Sequence, residues 1–111
     1  MTAADQHKLY LYDVAPELCT ELHTLLLEEG EGNLAIQVDQ LLIVDRCRCG
    51  DDCCSTFYTA PRKGPYGPEH FTVALAADIG IINIDVVAGK IVCVEVIDRD
   101  DIKAKIHAAL P

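Results

Sequence analysis

The sequence predicts an α+β domain: an antiparallel sheet of four or five strands in meander order, an N-terminal helix packed on one face, and a C-terminal helix. Three observations carry this. Leu18, Leu22, Leu25 and Leu26 recur at helical spacing, with Glu17, Glu21 and Glu28 turned to water. From residue 41 to residue 97 the apolar residues come instead in short alternating or β-branched runs, separated by glycine, proline and aspartate. A second helical stripe, Ile102, Ile106, Ala109 and Leu110, follows the last run. A chain of 111 residues makes one domain, 1–111, and with half its residues hydrophobic it can fold without metals or disulfides.

Residues 1–7 carry no pattern and are expected to be a flexible tail. They lack a basic start and an apolar stretch, so no secretory signal is expected. No apolar run approaches a membrane span, and a cytoplasmic setting is expected. Leu9–Tyr12 reads as a short edge strand or a lead-in. Asp13 offers a cap and Pro16 suits a first turn, so a helix is expected over 16–29, ended by Gly30. Asn33 can cap a short helix through Leu34, Ala35, Ile36 and Val38.

A strand is expected over 41–49. Leu41, Ile43, Asp45, Cys47 and Cys49 share one face, and Leu42, Val44, Arg46 and Arg48 the other. Gly50-Asp51-Asp52 turns the chain into a second strand over 54–60. Residues 61–70 hold three of the five prolines and two of the seven glycines, which predicts a surface loop. Strands over 71–75, 80–86 and 90–97 complete the sheet. Ile82, Ile84 and Val86 share a face with Val92, Val94 and Val96 only if even-numbered residues pair. A three-residue loop, Val87-Ala88-Gly89, does this by pairing Ile84 with Val92 and Ile82 with Val94, with Gly89 left-handed in a bulged turn. Cys93 then faces the other way with Ile81, Asn83, Asp85, Ile91, Glu95 and Ile97. That face is apolar enough to want a cover, either the C-terminal helix or another subunit. Asp98, Asp100 and Asp101 supply caps and favourable charge for a helix over 100–110.

The run from Ile84 to Asp98, IDVVAGKIVCVEVID, resembles the closing hairpin of short bacterial domains of unknown function, where an acidic strand, a glycine turn and an I-V-x-I-E-I-L-D run end the domain. The chain departs from them in lacking their aspartate-and-tyrosine opening and in having Cys93 where they tend to have glycine. The resemblance implies a bacterial, cytosolic α+β protein and no known activity.

Eighteen acidic residues against nine basic ones give a net charge of −9. Nucleic acid and anionic membranes are thereby excluded as partners, since both need clustered Lys and Arg. The charge suits a basic protein partner. The first functional expectation is therefore a non-enzymatic protein-interaction module, of which an immunity or antitoxin protein would be one kind, acting as a monomer or homodimer. Arg46, Arg48, Arg62 and Lys63 are four of the nine basic residues and lie near the cysteine turn and the proline loop, with Tyr58 and Tyr66 nearby. Together with Tyr66 they are the candidate ligand or partner surface; the plainer reading is a solvated rim balancing Asp45, Asp51 and Asp52.

The alternative is a soft-metal site for zinc or copper, or a thiol-redox site. Four of the six cysteines, Cys47, Cys49, Cys53 and Cys54, fall within residues 47–54. Thiolates are the ligands such ions prefer. The spacing is not that of a zinc knuckle, and adjacent Cys53 and Cys54 point to opposite sides of a strand. The expected set is Cys47 or Cys49 with Cys54, completed by His70. Against it stands simple packing of Cys47 and Cys49 on an inward strand face. For redox, Arg46 and Arg48 would lower a thiol pKa while Asp51 and Asp52 oppose them, and no Cys-x-x-Cys opens a helix. Cys19 and His23 lie one helical turn apart but fit a core edge better. His7 and His107 have no motif around them. A Cys54–His70 nucleophile and base would lack an orienting partner. No catalytic residue is assigned, and no cofactor is expected beyond zinc at the cysteine turn.

Overall fold

The computed structural model describes residues 8–111; the tail expected over residues 1–7, with His7, lies outside them. Among the described residues the chain forms four helices and a five-stranded antiparallel sheet, the α+β class that its patterning predicts. The helices are α1 (Leu11–Val14), α2 (Pro16–Glu28), α3 (Gly32–Val38) and α4 (Asp100–Ala109). The strands are β1 (Asp45–Arg46), β2 (Phe57–Tyr58), β3 (His70–Leu75), β4 (Ile81–Val87) and β5 (Lys90–Ile97).

The strands lie in the order β1-β2-β5-β4-β3. β3, β4 and β5 form a meander and β1 and β2 a hairpin, but the continuous meander expected from the sequence is broken between β2 and β3. The connection over 59–69, with its three prolines, cannot close a tight hairpin. It carries the chain to the far edge and leaves β2 to pair with β5.

The β4–β5 register also differs from expectation. The turn has two residues, Ala88 and Gly89, both left-handed at φ 50° and 80°, so Val87 pairs with Lys90. Such a turn matches the twist of the flanking strands. A bulge then skips Val92, so that Ile84 faces Val94 and Ile82 faces Val96, not Val92 and Val94. Even still pairs with even, by a different device. The bulge moves Ile91 to the core side, where it is buried. Gln37 of α3 braces the distortion. Its amide donates to the Gly89 carbonyl at 2.6 Å, and its oxygen accepts from the Ile91 N–H at 3.0 Å.

This register gives the sheet two unlike faces. Phe57, Val94, Ile84 and Val73 form one cross-strand row, continued by Arg46 at the edge. Their apolar side chains are buried with Leu18, Leu22, Leu26, Val38, Ile102 and Ile106 in a single cluster. Both long helices therefore cover the same face. The neighbouring row, Asp45, Tyr58, Cys93, Asp85 and Thr72, faces the other side. Cys93 is nonetheless buried. Its groove is lined by Tyr58, Arg62 and Tyr66, so the proline loop and not the C-terminal helix flanks this face.

The strand expected over 41–49 is reduced to two residues because its backbone changes partner. Leu11 donates to the Leu41 carbonyl and Ile43 to the Leu9 carbonyl, whereas Val44 donates to Tyr58 and Cys47 to Thr56. Between the two pairings the inward set switches: Leu41 and Ile43 are in the core, but Arg46 lies beside Phe57. The partner strand, expected over 54–60, is likewise cut to Phe57–Tyr58, extended by an isolated Cys54–Ile97 bridge. The expected caps are also displaced. Asp13 and Asn33 sit inside α1 and α3, and no side-chain cap is made at α2, α3 or α4.

Arg99 ties α2 to α4. Its guanidinium donates to both oxygens of Glu21 at 2.9 Å and to both of Asp101 at 3.1 Å, with its side chain only 10% exposed. The Arg99 hydrogen bonds hold the Asp101 carboxyl below the usual carboxylate range. A depressed folded-state pKa contributes stability that is complete above the unfolded value, about 4, and is lost as pH falls through the folded value. Arg99→Met should therefore cost about 1–3 kcal/mol at neutral pH in denaturant melts and flatten the loss of stability below about pH 4. An unchanged melting curve at both pH values would remove Arg99 from the account.

Candidate metal centre

The cysteine turn hangs from the β1–β2 edge of the sheet. On one side Cys47 extends β1, its N–H bonded to Thr56 O at 2.9 Å. Gly50 then takes a left-handed φ of 85°, which a side chain would resist, and reverses the chain. On the other side the Cys54 N–H closes the turn on Asp51 O at 3.2 Å, and Cys53 O accepts the Asp98 N–H at 2.8 Å. Both limbs are thus fixed by main-chain bonds before any side chain is considered.

These bonds bring the sulfurs of Cys47, Cys49 and Cys54 within 4.8 Å of one another, a group that could hold a metal ion. Cys47 and Cys54 are half-buried, and Cys49 is exposed. None of the three belongs to the hydrophobic cluster, so packing on an inward face does not describe Cys47 or Cys49. The change of pairing partner before Asp45 is the reason: it turns Cys47 away from the side that holds Leu41 and Ile43. Cys53 is exposed and outside the group. His70 is outside it too. Its Nε2 lies 2.8 Å from Asp85 Oδ1, its ring stacks on Tyr66 at 4.5 Å, and Asp85 also accepts from Thr72 at 2.8 Å.

Burial raises the Cys47 thiol, but the Cys49 backbone N–H and the side chains of Cys49, Tyr58 and Cys54 hydrogen-bond its sulfur and bring it below the ordinary cysteine value. The Asp51 N–H favours a charged Cys49, yet the Cys47 and Cys54 sulfurs outweigh it and leave Cys49 raised. The two thiols are therefore moved in opposite directions, Cys47 down and Cys49 up. These hydrogen bonds, and not Arg46 and Arg48, lead the effect. Arg46 donates to the carbonyls of Leu110 and Cys47, and Arg48 to Asp45 at 3.1 Å and to the Pro111 carbonyl at 3.2 Å.

Of the candidate partner surface, Arg46, Arg48 and Arg62 line one cavity with Cys47, Cys49 and Tyr58. Arg62 lies 4.8 Å over the Tyr58 ring and donates to its hydroxyl at 3.3 Å, Tyr66 is on His70, and Lys63 is exposed beside an apolar hollow of about 340 Å³ under the proline loop. Cys19 sits in the core with its thiol 3.7 Å from the Val38 carbonyl, while His23 faces Asp39 at 3.5 Å. Two residues that sequence alone assigns no role at the sulfurs matter here. Tyr58, pushed up to about 12 by burial and then by Cys47, is one. Cys93, pushed up to about 12 by burial and then by Asp85 and Glu95, stays an uncharged thiol on the groove floor. Only the cross-strand register reveals them, because Tyr58 pairs with both Asp45 and Cys93.

No protein-family model, curated protein or solved structure matches the chain, so no role is carried over and the hairpin likeness stays a resemblance. No helix among the described residues is long and apolar enough to cross a membrane.

Tyr58→Phe removes a donor that favours the charged form, so the first thiolate absorbance step should move to higher pH. A step that stays in place would show that Tyr58 does not tune Cys47. In the native protein iodoacetamide should label Cys49 and Cys53 and spare Cys93; labelling of Cys93 at the same rate would contradict its burial.

Proposed function

We propose that this protein binds one soft metal ion, zinc(II) or copper(I), through Cys47, Cys49 and Cys54. One observation carries the reading: three thiols from the two limbs of a turn converge within 4.8 Å outside the core. Four sulfurs around zinc at about 2.3 Å lie about 3.8 Å apart, so closing this group on an ion needs movements of roughly 1 Å or less. The main-chain bonds of the turn keep the limbs in place while the exposed Cys49 adjusts. A bound ion would cross-link β1 to the start of β2 and stiffen an edge that the sheet holds by only two paired residues.

The expectation of a protein-interaction module ranks second. Apart from the exposed Lys63, the basic and tyrosine side chains that would form its surface are engaged with main-chain carbonyls, Asp45, Tyr58 and His70. No catalytic step is part of the proposal. A thiol-disulfide role would use the same sulfurs, and the test separates it.

Reduced protein loaded with zinc should carry one equivalent in native mass spectrometry. Cys49→Ser and Cys54→Ser should each weaken binding by about 10-fold or more, and Cys53→Ser and His70→Ala should leave it unchanged. Saturating metal at about 100 times its dissociation constant should stabilise the fold by about 2.7 kcal/mol. Reduced wild-type protein that takes up neither zinc nor copper would overturn the reading. Mass lost through a Cys47–Cys54 or Cys49–Cys54 bridge, with no metal uptake, would replace it with the redox role.

A further inference from the structure

We infer that the ion this site is built for is copper(I), held by three thiolates and exchanged through Cys49; the inference rests on the metal reading above. It starts from ligand number. Structural zinc sites are closed by four protein ligands, and three with a water is the arrangement of catalytic ones. The group here offers three sulfurs, and the next donors are engaged or turned away. His70 Nε2 is held by Asp85 at 2.8 Å. Cys53 lies outside the group. Copper(I) is a softer ion than zinc, and three thiolates in a plane complete its shell.

The surroundings of the sulfurs point the same way. Three thiolates leave a net charge of −1 on zinc(II) and −2 on copper(I). On a chain of net charge −9 the larger excess needs local compensation. Arg46, Arg48 and Arg62 line the cavity beside Cys47 and Cys49, and with Asp45 paired to Arg48 they leave a net positive charge there.

Exposure of Cys49 supplies the route in and out. An incoming thiol, from a small molecule or a partner's cysteine, forms a copper–sulfur bond as the copper–Cys49 bond breaks, and its proton ends on the Cys49 sulfur. Copper stays monovalent throughout, so no oxidant or reductant is required.

The test is an anaerobic titration of the reduced protein with copper(I) against bicinchoninate, with and without excess zinc, followed by X-ray absorption at the copper edge. The expected result is one tightly held copper per chain, three sulfur neighbours, and no displacement by zinc. Cys49→Ser should lower the copper affinity by about 10–100-fold and Cys53→Ser should not change it, with circular dichroism showing both folded. Zinc uptake through the same cysteines, with copper(I) left on the chelator, would overturn the copper inference and leave the metal reading standing. Several coppers per chain, or loss of binding in Cys53→Ser, would also overturn it. Failure to bind either metal would remove both.

Discussion

The pairing of β5 with β4 on one side and β2 on the other is the constraint on which the rest of the structure depends. Two adjacent cross-strand rows follow from it. One row carries Phe57, Val94 and Ile84, all fully buried, and joins the sheet to its helices. The other carries Tyr58, Cys93 and Asp85 and makes the floor of the groove on the opposite face. A slip of one residue would exchange these sets and put a phenol and a carboxylate into the core. The turn at Ala88-Gly89, the skipped Val92 and the Gln37 amide hold that register.

The cysteine turn is a consequence at the far end of the same ladder. β2 adds to β5, β1 adds to β2, and the turn between them overhangs the edge. Its limbs are tied by main-chain bonds at Cys47, Cys53 and Cys54, while its side chains have no core to enter. That explains why thiols gather there without being packing residues. Elsewhere in the chain cysteine does behave as a small apolar residue: Cys19 and Cys93 are both buried, and burial raises both thiols.

Much of the fold was legible in the residues. The leucine stripe of α2, the Ile102–Ile106 stripe of α4 and the runs that became β3, β4 and β5 needed only periodicity. What failed was what periodicity does not encode. Even-numbered pairing on the last hairpin came from the apolar pattern, but a two-residue turn with a bulge and a three-residue turn satisfy that pattern equally. Gln37, far away in sequence, bonds the turn that formed on both sides of Lys90. The faces of Cys47 and Cys49 were misjudged because strict alternation was carried through residues 43–45, where the backbone changes partner from Leu9 to Tyr58. Convergence of Cys47, Cys49 and Cys54 was partly legible, since adjacent Cys53 and Cys54 had to diverge. The place of His70 was not, because its tie to Asp85 is a cross-strand diagonal visible only once β3 and β4 are in register.

The central claim is that three particular sulfurs share one ion. Anomalous diffraction from metal-loaded crystals, collected on both sides of the metal's absorption edge, tests it most directly. The account predicts one peak bonded to the Sγ atoms of Cys47, Cys49 and Cys54, with Cys53 and His70 outside bonding distance. A peak on any other set of side chains, or reduced loaded crystals with no peak at the cysteine turn, would contradict it.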